Sequence, residues 1–136
     1  MRAKRPLYLL VGAAVFTPAP HTRAHHAFSA EFDAQKPLTM TGTVTKVEWQ
    51  NPHTWFYIDV TDANGRVENW GMELASPNLL MRNGWTRSSM QIGDVVTVEG
   101  FHAKNGSHNG NAQVVVLTET GDRLFAASSA GRRGGQ

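Results

Sequence analysis

Between residues 38 and 125 the chain is dominated by short-period alternation of apolar and polar positions, which predicts strands rather than helices. In the first run, Leu38 to Trp49, the residues Met40, Gly42 and Val44 share one face. Val47 and Trp49 fall on the other face unless a bulge near Thr45-Lys46 restores them, as strongly curved strands often require. Asn51-Pro52 ends the run, and a second strand from His53 to about Asp62 sets Thr54, Phe56, Ile58 and Val60 on a core face. His53, Trp55, Tyr57 and Asp59 lie opposite. Asp62-Ala63-Asn64-Gly65 has the composition of a hairpin turn, Asn-Gly supplying the positive φ values that a tight connection needs. A third strand, Arg66 to Leu74, turns Trp70, Met72 and Leu74 inward.

The period then changes. Ser76 suits an N-cap, Pro77 the first helical position, and Leu79-Leu80-Met81 precedes a stop at Asn83-Gly84, so one short helix follows the third strand. Val95 to His102 is a fourth strand, Asn105 to Asn111 a polar loop, Ala112 to Thr118 a fifth strand, and Arg123-Leu124-Phe125 a short final pairing segment. Three strands, a helix and two or three strands predict an all-β domain with one short helix: a small OB-like β-barrel of five to six strands spanning residues 38–125. A seven-stranded immunoglobulin-like sandwich needs more strands than the pattern offers.

Composition changes the picture mainly at the two ends. Residues 1–24 have a basic start, Met1-Arg2-Ala3-Lys4-Arg5, then an apolar stretch from Leu7 to Phe16, and small residues before a cut after Ala24, the three-part pattern of a signal peptide. The apolar stretch is too short to span a bilayer as a helix. Residues 25–37 then form an N-terminal arm, and residues 126–136 a flexible Gly-rich tail. The predicted address is periplasmic or secreted, with no transmembrane segment in the mature protein. The formal charge of +2 is misleading, because cleavage removes Arg2, Lys4, Arg5 and Arg23 and no acid. A mildly acidic mature chain lacks the basic stripe that holds nucleic-acid phosphates, so no nucleic-acid partner is expected. With no Cys, disulfide scaffolds, Cys-based zinc sites and thiol nucleophiles are excluded.

Candidate chemistry lies at the predicted mature terminus and on the second strand. An N-terminal His25 offers an amine and a ring nitrogen as a chelate, and one further imidazole completes a T-shaped site suited to Cu(II). His25, His26 and His53 are the candidate metal ligands, with one of the adjacent pair acting alongside His53 and copper as the candidate cofactor. Asn51, Trp55, Tyr57 and Asp59 form the candidate ligand face, where exposed rings would stack a sugar, an aromatic metabolite or a partner's side chain. The alternative is that Phe28 and Phe32 of the arm cover those rings. Trp70 and Met72 share the core face and have no His beside them in sequence, which favours packing over a Cu(I) site. No nucleophile elbow, phosphate-binding Gly loop or paired-carboxylate motif is present, so a non-enzymatic binding protein is expected.

The stretches His25-His26-Ala27-Phe28-Ser29-Ala30-Glu31-Phe32-Asp33, Leu38 to Val44, Trp49-Gln50-Asn51-Pro52-His53, Ser76-Pro77-Asn78 and Gly84-Trp85 carry a resemblance. Together they are similar to a family of small exported bacterial proteins of unknown function, with a His-His-x-Phe start and a later Asn-Pro-His-x-Trp motif. The resemblance implies export and one β-rich domain, and no activity.

Overall fold

The computed structural model describes residues 28–127. A helical turn over residues 28–31 leads into six strands and one helix: β1 (Phe32–Glu48), β2 (Trp55–Thr61), β3 (Val67–Glu73), α1 (Pro77–Arg82), β4 (Val95–Ala103), β5 (Asn109–Leu117) and β6 (Arg123–Phe125). The strands form one sheet in the order β3-β2-β1-β4-β5-β6, and a parallel pairing of β3 with β5 joins its two sides. The antiparallel sheet thereby closes into a ring, β1-β2-β3-β5-β4, with β6 appended to β5. This is the expected all-β, OB-like arrangement with one short helix.

Parity along the strands builds the core. Leu38, Val44, Phe56, Ile58, Met72, Val96, Val98, Ala112 and Val115 are buried inside the ring. The bulge foreseen near Thr45-Lys46 lies between Val44 and Lys46, and beyond it Val47 and Trp49 return to the core side. Ser76 accepts a bond from the Leu79 N–H as the N-cap of α1, Pro77 opens the first turn, and the helix drives Leu80 fully into the core.

Two strand boundaries and one turn differ from the sequence pattern. β1 starts at Phe32, so residues 32–37 of the arm are strand; an irregular register between Phe32 and Pro37 and a polar, mostly exposed run across it hide the period. β5 starts at Asn109 rather than Ala112, because Gly71, Met72 and Glu73 of β3 pair with Asn109, Gly110 and Asn111. In the 62–65 turn only Gly65 has a positive φ, at 80°. The Asp62 carboxylate accepts bonds from the N–H groups of Asn64 and Arg66, so Asn64 needs no left-handed conformation.

Candidate functional site

Trp55 opens β2 on its outer face. Its cross-strand neighbours are Glu48 on β1 and Glu73 on β3. β2 separates these two acids, and each has partners of its own. Glu48 accepts a bond from the Tyr57 hydroxyl at 3.1 Å and pairs with Lys46 at 2.6 Å, while the Lys46 ammonium sits 5.3 Å from the centre of the Tyr57 ring. Burial, and then the hydrogen bond to Glu48, push the Tyr57 hydroxyl above its ordinary pKa. The Tyr57 ring can lie across β3 because position 71 is Gly: a Cβ there would stand 3.2 Å from the ring and 2.6 Å from Asn109 Oδ1.

His53 is held beside Glu73 by backbone bonds on both sides of residue 54. The Thr54 N–H donates to Ala75 and the Leu74 N–H donates to Thr54, extending the β2–β3 ladder by one turn of chain. Opposite the buried Thr54 side chain, His53 Nδ1 comes 3.2 Å from Glu73 Oε1. Asn111 Nδ2 donates to the same oxygen at 3.2 Å, and Gln113 donates in turn to Asn111 Oδ1. Glu73 is buried and its pKa is pushed above the ordinary carboxylate value by burial first, against the pull of His53, with the charge of Glu31 adding to the rise. Strand alternation does not point to Asn111 in this group, because it arrives through the parallel β3–β5 pairing.

Beside this network a half-open cleft of about 420 Å³ lies between the 28–31 turn, β2 and the β4–β5 connection. Trp55 and Phe32 give it ring walls, and Glu31, Asn105, Ser107 and Asn109 give it polar groups. Lys104 is also at its edge, where its ammonium bonds the Ser29 carbonyl and its N–H bonds the Glu31 carbonyl, tying the turn to β4. Ser107 Oγ is shielded from solvent and has no hydrogen-bond partner among the described residues.

The remaining predicted positions are distributed unevenly. Asn51 is exposed in the β1–β2 connection, and Asp59 is occupied by a 2.8 Å bond from Asn69 further along β2, away from the cleft. Phe28 packs on Phe32 and on Phe101, with centroid separations of 5.7 and 5.8 Å, so Phe28 is engaged at β4. His25 and His26 lie outside the described residues. Among the described residues no group of three or more His, Asp or Glu side chains could hold a metal ion. Trp70 does have His neighbours in space, which its sequence context hides: His108 stacks on it at 4.8 Å and His102 meets it edge-on at 5.6 Å.

Fold and site together define a small OB-like protein with an aromatic, polar-rimmed cleft on the outside of its ring. Residues 14–113 match the profile of a family of unknown function, DUF6152, and the chain belongs to that family. No curated protein matches the chain. Among solved structures it is similar to the mitochondrial single-stranded DNA binding protein Rim1 of S. cerevisiae, at 10% identity and a TM-score of 0.48, over 61% of this chain and 93% of that one. A likeness this distant carries no functional weight. No helix among the described residues is long and apolar enough to cross a membrane.

Proposed function

We propose that the protein is an exported, non-enzymatic binding protein that seats a small polyhydroxylated ring, such as a sugar, against Trp55. The observation that carries this reading is the composition of the cleft: a ring wall with amide, hydroxyl and carboxylate groups arranged around it. Stacking on an indole combined with a few convergent polar groups is how such ligands are oriented. The test is a panel of mono- and disaccharides titrated into the exported protein, with the indole N–H signals followed by NMR. The expected result is a saturable shift of the Trp55 signal and at least a tenfold weaker affinity in Trp55→Ala. Shifts confined to the other tryptophans, or an affinity indifferent to Trp55→Ala, would reject the cleft as the binding site.

A second reading places copper or another divalent cation between the mature N-terminus, through His25 or His26, and His53. What favours it is that Glu31, near the start of the described chain, lines the same cleft as Trp55, whose cross-strand neighbour Glu73 pairs with His53, so the described chain begins on the His53 side of the molecule. Mass spectrometry of the exported protein followed by Cu(II) and Zn(II) titration tests it. A chain that starts at His25 and binds copper below micromolar concentration, with weakening by His53→Ala, is the expected outcome. A different start, or weak binding regardless of His53, removes this site.

A further inference from the structure

The chain that enters β5 serves two sides of the molecule. Asn105, Ser107 and Asn109 line the Trp55 cleft. His108, between the last two, turns instead to Trp70 and stacks on its ring, with centroids 4.8 Å apart and planes 18° from parallel. His108 Nε2 is 3.6 Å from Glu68 Oε2, and the other oxygen of that carboxylate accepts a 3.5 Å bond from Arg66. The His108 carbonyl accepts a 2.9 Å bond from the Gly71 N–H, where the β3–β5 pairing begins. One residue therefore ties a wall of the cleft to β3 by backbone and by side chain together.

Both side-chain neighbours favour a charged ring. An imidazolium over an indole face gains cation–π attraction, and an imidazolium beside a carboxylate gains the attraction of opposite charge. The neutral ring keeps the stacking contact alone. Imidazole is also the side chain whose charge ordinarily changes between about pH 5 and 8. Other ionisable groups surround the stack: His102 on β4 meets Trp70 edge-on at 5.6 Å, and Asp62 pairs with Arg66 behind Glu68. Glu31 and Lys104 line the cleft itself, and the His53–Glu73 pair lies beside it.

We propose that His108 is a positioning residue of the Trp55 cleft, a clamp between β5 and β3 that tightens when its ring takes up a proton, so that ligand binding strengthens as the pH falls. The clamp stands on the stack, the ion pair and the backbone bond; its effect on binding rests on the saccharide reading above. Ligand and proton favour the same arrangement of the cleft wall, so each strengthens the binding of the other.

Hydrogen exchange of the Gly71 amide, expressed as protection relative to the free chain, tests the clamp on the exported protein at about pH 5.5 and about pH 8. Protection about threefold higher at the lower pH is expected in the parent. It should be equal at the two pH values in His108→Phe, which keeps a ring on Trp70 and takes up no proton. Glu68→Gln, which leaves the stack in place, should reduce the difference. Protection that ignores pH in the parent overturns the clamp. So does a difference that persists in His108→Phe, since it then belongs to His102 or to another of the groups named above. Saccharide titration at the same two pH values tests the coupling, with about threefold tighter binding expected at the lower pH and no such gain in His108→Phe. Binding that needs Trp55 but ignores pH overturns the coupling and leaves the saccharide reading intact. Binding of no saccharide at either pH removes that reading and the coupling together, while the Gly71 amide still decides the clamp. Circular dichroism of both variants separates a folding defect from these effects.

Discussion

Trp55 gains its setting from two acids that sequence spacing alone would not connect to it: Glu48 lies across the β1–β2 ladder and Glu73 across the β2–β3 ladder. Each acid is directed by a different partner, so the indole sits between a solvated pair, Lys46–Glu48, and a pair in which a buried Glu73 meets a part-exposed His53. Gly71 keeps the neighbouring surface low enough for Tyr57 to cross it. Gly71→Ala is expected to move Asn109 and tilt Tyr57, costing about 1–2 kcal/mol in a urea unfolding titration. Its larger effect should be on the saccharide binding proposed for the Trp55 cleft, whose lining includes Asn109. In the core, Phe56→Ala removes a fully buried ring and should cost about 3–5 kcal/mol in the same titration. Alternation along β2 made His53, Trp55 and Tyr57 legible as one face. Asn111 and Ser107 were not legible, because a polar run of Asn, Gly and Ser reads as loop until β3 pairs with it.

At the scale of single elements, local chemistry was the most readable layer. Ser76, Pro77 and the Asn83-Gly84 stop each obey a short-range rule, and α1 forms where they place it. Ser76→Ala, by leaving the Leu79 N–H without its acceptor, should cost about 1 kcal/mol, read from thermal unfolding. Strand ends were less readable, since β1 begins in a polar segment and the start of β5 is set by a partner 38 positions earlier in its register. β6, of three residues, is held to the ring partly by Arg123, whose two terminal nitrogens reach the Glu99 carboxylate at 2.9 and 3.0 Å across β5. That bond holds the Glu99 carboxyl below its ordinary value of 4.5. A carboxylate whose pKa is lowered on folding adds stability above its unfolded value and loses it as pH falls through the folded one. Arg123→Ala should therefore lower stability at neutral pH only slightly in a urea unfolding titration, because both side chains are well exposed. Well below pH 4.5 the variant and the parent should unfold alike.

For the molecule as a whole, the order of strands and helix was enough to predict an OB-like arrangement, because closure of such a ring is a matter of count and sequence rather than of any one residue. How the ring is seamed was not written locally. The chain folds as two runs of consecutive neighbours, β1-β2-β3 and β4-β5-β6, and two long-range pairings, β1 with β4 and β3 with β5, bring them together. The segment that links these halves passes through Thr86, Arg87 and Ser88, all exposed. Severing the chain between Arg87 and Ser88 leaves both seams, the Trp85 indole bond to the Phe125 carbonyl and the Ala75 bond to Ala126 in place. Two separately expressed fragments, divided at that point, are expected to co-purify as one folded body with the β-rich circular dichroism of the parent. Each fragment alone presents an unmatched strand edge and half a hydrophobic interior, so reconstitution would be close to obligatory. A protein built this way is a natural split reporter, in which reunion of the pieces also rebuilds the face where Glu73 meets Asn111.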